Sequence, residues 1–162
     1  MKRLIAVLAL AFASSASAQL PVIQLSAGMH LVRAEVAADF ASRMQGLMHR
    51  ESLAPNAGML FVFDEAATHC MWMKNTLIPL SVAFLDASGT IINIADMQPQ
   101  SEQSHCASAP AVFALEMTRG WFAQRGVKAG MKLGGLEQAY IVGPAFMAHE
   151  RVDVPIRGRC FP

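Results

Sequence analysis

The residues best able to do chemistry lie in one short run, Cys70-Met71-Trp72-Met73-Lys74-Asn75-Thr76. A tryptophan face beside a lysine and an amide suits a planar or sugar-like ligand, or one carrying a carboxylate or phosphate. Trp72, Lys74 and Asn75 are therefore candidate ligand-binding residues. Arg43 and Glu116 complete the set. Glu116 ends an apolar run, where an unpaired carboxylate is costly to bury. A Lys74–Glu116 or Arg43–Glu116 ion pair would settle that carboxylate without any function. The same residues would equally make the polar floor of a pocket.

Three other readings compete. In the plainest, Met71 and Met73 fill a core, Lys74 lays its stem along Trp72, and Asn75-Thr76 is a turn that ends a strand. In an enzymatic one, Lys74 is an amine activated by apolar surroundings and Glu116 is its acid or base. Whether the protein is an enzyme is left open, and no residue is assigned a catalytic role. The third is copper. Ten methionines follow Met1, and thioethers with His and Cys bind Cu(I). Met44, Met48, Met59, Met71 and Met73 with His49, His69 and Cys70 would supply such a set, although methionine is also a good core filler. No metal site or cofactor is assigned. The chain has no G-x-S-x-G, no phosphate-binding G-x-x-x-x-G-K, no H-E-x-x-H and no C-x-x-C. His69-Cys70 and His105-Cys106 are sequence neighbours, which point to opposite faces of a strand and do not form a dyad there.

The elements that must position these residues are mostly strands. Leu31 to Val36 alternates apolar and charged residues. Asp39 caps a short helix over Phe40 to Met48. Pro55 to Gly58 is a turn, Met59 to Phe63 a buried strand, and Asp64 to Thr68 a polar break before a strand at Cys70 to Met73. Val82 to Asp86 and Thr90 to Ile94 flank a Gly-containing loop as a hairpin. Met97 to Pro110 reads as a long loop, Ala111 to Met117 as a strand, Gly120 to Gly126 as a helical turn or two, and Gln138 to Val142 as a last strand. The fold class is α+β, dominated by β structure: a mostly antiparallel small barrel or two-layer sheet with two short helices.

The first 18 residues have the order of a secretory signal peptide: Lys2-Arg3, an apolar run from Leu4 to Ala13, and Ala16-Ser17-Ala18 as a cleavage pattern. Cleavage would remove 18 of 162 residues and leave 144, suited to one domain. That domain is expected over 19–142, with 143–162 as a surface tail. Losing Lys2 and Arg3 moves the formal charge from +1 to −1. No basic cluster remains for nucleic acid or an anionic membrane surface. An exported monomer is expected, in the periplasm or outside the cell, with a small molecule or a protein as its partner. Export brings Cys70, Cys106 and Cys160 into an oxidising compartment. Three pairings are possible. Cys70–Cys106 is preferred because both lie in the body of the domain.

Several stretches resemble the DUF192 (UPF0127) family of small bacterial and archaeal proteins, often exported. They are Arg43 with Gly46-Leu47-Met48 and Arg50, Gly58 to Phe63, and above all Trp72-Met73-Lys74-Asn75-Thr76-Leu77-Ile78-Pro79-Leu80. Phe84-Leu85-Asp86 with Gly89, Leu115-Glu116 with Gly120, and Gly126 to Gly130 follow in order. Together they cover about residues 29–133. The resemblance implies a compact β-rich α+β domain and brings no reaction, substrate or cofactor with it. Ser81 and Met131 stand where the family often has acidic residues.

Overall fold

A computed structural model describes residues 19–142. The expected signal peptide, the surface tail and Cys160 lie outside the described residues. Nine strands are described: β1 Val22–Ala27, β2 His30–Ala37, β3 Ala57–Ala67, β4 Cys70–Met71, β5 Leu80–Leu85, β6 Ile91–Met97, β7 His105–Cys106, β8 Ala111–Thr118 and β9 Leu133–Gly134. Three short helices accompany them: α1 Phe40–Gln45, α2 Trp121–Gln124 and α3 Glu137–Val142.

Seven strands form one curled sheet in the order β6-β5-β8-β3-β2-β1-β9, and β4 pairs with β7 in a second, two-stranded sheet. Every pairing is antiparallel except β2 with β3. A parallel pair needs a crossover connection, and α1 lies in it. At one end the two edges of the curl are tied together. Thr90 bridges to Lys132, and the Ile91 and Leu133 amides donate to Met131 and Gly89 at 2.8 and 2.9 Å. The result is a β-dominated α+β half-barrel, which agrees with the mostly antiparallel small barrel or two-layer sheet expected from the strand pattern.

Three expectations need correction. The polar stretch from Asp64 to Ala67 continues β3 as its exposed end instead of breaking it. The strand expected over Cys70 to Met73 ends at Met71. Gln138 to Val142, read as a strand from its Tyr-Ile-Val, is part of α3, so there are three short helices among the described residues and not two. Gly135, left-handed at φ 88°, turns the chain just before α3, and Ala139 is its buried residue. β-Branched residues at the end of a short helix give no helical signal of their own.

Alternation along the strands separates two apolar layers. One contains Leu25, Val32, Leu60, Ala83, Ile91, Leu115 and Leu133. It draws on every strand of the sheet, so it is the inside of the curl, and Trp121, Phe122 and Ala139 close it. The other layer holds Met59, Phe61, Phe63, Val82, Phe84 and Ala114 from the outer face. No full layer of structure covers it. Leu47 after α1, Met73 after β4, and Met97 and Ala107 beside the β6–β7 connection pack over it instead.

Candidate functional site

Asp39 starts α1. Its side chain accepts from the Ser42 amide at 2.9 Å, and Ser42 Oγ accepts from the Asp39 amide, making a reciprocal capping box. The Ser42 bonds hold the Asp39 carboxyl below the usual carboxylate range. Arg43 then clamps α1 to the edge of β3. It donates to the carbonyls of Ala38 and Val62 at 2.8 and 2.9 Å and to Asp64 Oδ2 at 2.7 Å. Arg50 makes a two-pronged pair with Glu35 on β2 at 2.5 and 2.6 Å. Both arginines are therefore occupied in pinning the crossover between β2 and β3.

The Met73–Thr76 turn is the opposite wall. Asn75 is left-handed at φ 56°, a conformation asparagine tolerates better than most residues. The Thr76 amide donates to Met73 O at 3.0 Å. The turn is tied on both sides. Gln100 donates to Thr76 O and His49 to Asn75 O, at 3.0 and 2.9 Å. Lys74 stays on the surface, its Nζ 5.2 Å from the Trp72 ring centre and 3.6 Å from Glu102. The disulfide joins Cys70 to Cys106, holding β4 to β7 beside this turn.

Between α1 and β4 lies an open, mainly apolar cleft of about 790 Å³. Phe40, Met44, Phe63, Met71 and Trp72 make its apolar walls, and Arg43, Asp64 and Glu65 its charged rim. Phe40 is 74 % exposed and Trp72 42 %, large values for aromatic side chains. The His69 ring stacks on Phe63 at 3.7 Å while its Nε2 donates to the Glu65 carbonyl. A narrow recess of about 30 Å³ adjoins the cleft and shares Met44, Phe61, Met71 and Trp72 with it. The rest of its lining is Gln45, Gly46, Leu47, Met48, Thr76 and Glu116, of which Leu47, Thr76 and Glu116 are buried.

Glu116 is only 3 % exposed. It sits on the outer face of β8 between Met59 on β3 and Val82 on β5, neither of which offers a polar side chain. It forms neither of the ion pairs expected for it, because Arg43 and Lys74 are paired with Asp64 and Glu102. Its carboxyl has no hydrogen bond or ion pair among the described residues, and burial pushes it up to about 8. No fully enclosed side-chain oxygen or nitrogen among the described residues lacks a partner. The Glu116 oxygens therefore reach the surface of the recess.

The five candidates thus divide. Trp72 lines cleft and recess, Arg43 lines both while serving as a clamp, and the buried Glu116 lines only the recess. Lys74 and Asn75 line neither and form the turn outside it. The copper set scatters. Met59 and Met73 are fully buried, Cys70 is in the disulfide, and the His69 ring is stacked. Met44, Met48 and Met71 remain at the recess. Among the described residues no three His, Cys, Asp or Glu side chains are grouped to hold a metal. Phe40 and Phe63 carried no site signal of their own in the residue pattern, and Met44 stood out only as a member of the copper set. The one available signal was that Phe40 follows the helix cap directly, where nothing in the helix can cover it.

Ser81, at the position often acidic in the family, is buried, donates to Asp96 Oδ1 at 2.5 Å and accepts from the Gly120 amide at 2.9 Å. Its carboxylate partner comes from the neighbouring strand, Asp96 lying directly across from it.

The DUF192 family model, described as "Uncharacterized ACR", matches residues 22–135. No curated protein matches the chain. Among solved structures, one from Sinorhizobium meliloti 1021 is 35% identical, with a TM-score of 0.70, covering 74% of this chain and 97% of that one. Its description proposes, without establishing, a transcription regulator. A second, a protein of unknown function from Novosphingobium aromaticivorans DSM 12444, is 30% identical, with a TM-score of 0.67 and coverages of 77% and 98%. The family match spans the whole half-barrel, cleft and recess included, and the chain belongs to the DUF192 family.

Proposed function

We propose that the protein is an exported binding module that takes a small ligand in the cleft between α1 and β4. One observation carries this reading: the half-exposed Trp72 borders both an apolar cleft and a recess that ends at a buried, unpaired carboxyl. Apolar walls with a few convergent polar groups are the usual make-up of a ligand site. The Cys70–Cys106 disulfide supports export, since disulfides persist in oxidising compartments. No helix among the described residues is long and apolar enough to cross a membrane. Catalysis by Lys74 with Glu116 is not favoured, because Lys74 faces Glu102 and lies outside the recess. The regulator description of the Sinorhizobium protein finds no support in a basic surface here.

Melting temperature in the presence of apolar amines, sugars, carboxylates and phosphates tests the reading, because a ligand of the folded state alone raises it by mass action. A shift abolished in Trp72→Ala, whose unliganded stability is retained, is the expected result. Equal shifts in parent and variant would refute it.

Met44, Met48 and Met71 favour one second reading, a thioether site for Cu(I) at the recess. Competition with a chelator of cuprous ion checks it. Met48→Leu with Met71→Leu should weaken Cu(I) retention, and an unchanged double variant would exclude it.

A further inference from the structure

The buried carboxyl narrows the ligand class. Glu116 is 3 % exposed, has no polar partner among the described residues, and opens into a recess about one water molecule in size. A buried carboxyl that nothing satisfies is costly. Met59 and Val82 flank it on the neighbouring strands and leave it unsatisfied from both sides. What it lacks is a compact donor, and the recess holds one head group and no more.

The charges around it point to a cation. Arg43 is the one other charged side chain lining the recess, and its guanidinium is held by Asp64 and by the Ala38 and Val62 carbonyls. Lys74 is drawn outward to Glu102, and His49 does not line the recess. At the rim, Asp64 offsets Arg43 and leaves Glu65 as a surplus negative charge. The Trp72 face already carries one cation, Lys74. An anion would meet no free positive group in this lining.

We propose, resting on the cleft reading above, that the ligand is an amine with an apolar body. Its ammonium enters the recess and pairs with Glu116, while the body lies in the cleft against Trp72 and Phe40. Thr76, whose hydroxyl is 3.4 Å from the Lys74 carbonyl, and Gln45 are the uncharged polar side chains lining the recess. Because burial holds the Glu116 proton at neutral pH, pairing with the ammonium releases that proton to solvent. Amine affinity therefore rises with pH up to about 8, as long as the amine itself stays protonated.

Calorimetric titration of the protein with 2-phenylethylamine, 2-phenylethanol and 3-phenylpropionate tests this. Two buffers of different ionisation enthalpy read the proton release. The amine should bind, release a proton at pH 7, and lose about tenfold or more in affinity in Glu116→Gln, the scale of a lost charged hydrogen bond. Thermal melting of Glu116→Gln, and of Glu116→Met as a second variant, checks that the fold persists. The alcohol should bind both forms alike and the carboxylate neither. Amine binding that is unchanged in folded Glu116→Gln overturns the proposal and leaves the cleft reading standing. Tighter binding of the alcohol or the carboxylate than of the amine also overturns it. If none of the three binds, the amine proposal fails, and an unaltered Trp72→Ala in the wider ligand panel then removes the cleft reading too.

Discussion

The His49 amide donates to the Asn75 carbonyl at 2.9 Å, and both residues hold left-handed backbones, at φ 62° and 56°. This bond joins the two walls of the recess: the crossover after α1 and the turn after Trp72. Lys74 and Asn75 therefore close the recess by backbone geometry, with their side chains outside it, while Thr76 lines it.

A conformational prediction follows from that bond. Asn75→Ala should destabilise the protein by about 1 kcal/mol, because alanine resists the left-handed region, and Asn75→Gly should cost less. Denaturant unfolding of the two variants measures the difference. Equal losses would mean that the side chain, and not the backbone, sets the turn.

The arginine clamp gives a second prediction. Arg43→Ala strands two carbonyls and Asp64 and should cost about 2–3 kcal/mol. Arg43→Lys should recover little of it, because an ammonium lacks the planar fork that spans three acceptors. Urea midpoints decide, and full recovery with lysine would show that only the charge matters.

Reduction of the disulfide should also be felt at the cleft. Cys70 lines it, and the Cys70–Cys106 bond closes a loop spanning a sequence separation of 36. Cys70→Ser with Cys106→Ser should lose about 2–4 kcal/mol. It should also speed amide exchange in β4 and β7, whose two-residue pairing is otherwise extended by the Ala107 amide on the His69 carbonyl and tied to β6 by Asn93. Unchanged exchange there would show that Met73 and the 98–101 connection position the wall without the bond.

Glu116 makes stability depend on pH in a defined direction. Its carboxyl stands near 8 in the fold against an ordinary 4.5. Between those values the folded protein holds a proton that the unfolded chain has lost. This contribution to stability is therefore complete below pH 4.5 and fades as the pH rises to about 8. Glu116→Gln should flatten that decline and be the more stable form at pH 8–9. Asp39 and Asp86 act at the other end. Ser42 lowers the first; for Asp86, desolvation opposes, but bonds from Ser88 and Thr90 prevail. Their contributions are lost only as the pH falls through the acid range. Unfolding free energies at pH 5, 7 and 9 separate the two effects, and an identical slope in Glu116→Gln would contradict the buried-acid account.

Much of this architecture was legible in the residues. The alternation of Leu31 to Val36, the cap at Asp39 and the hairpin around Gly89 carried local signals that tertiary packing did not override. The preferred cysteine pair was found because both cysteines lay inside the domain, and the structure shows them directly opposed. The α3 segment misled because its residues favour strands, and a short helix is decided by packing rather than propensity. The candidate site was half legible. Trp72 and Glu116 stood out by type, Glu116 as a carboxylate ending an apolar run. Which face was covered, and by what, depended on contacts between segments far apart in sequence. So the partners of Arg43 and Lys74, and the exposure of Phe40 and Met44, emerge only from the fold.

The most direct test of the central claim is a heteronuclear NMR titration with small apolar compounds, following the two tryptophan indoles and the methionine methyls. Trp121 is 4 % exposed and belongs to the inner layer, so it serves as an internal control. Saturable shifts are expected at Trp72, Met44 and Met71, with Trp121 unmoved. Shifts centred elsewhere, or none at Trp72 with any compound, would contradict that claim.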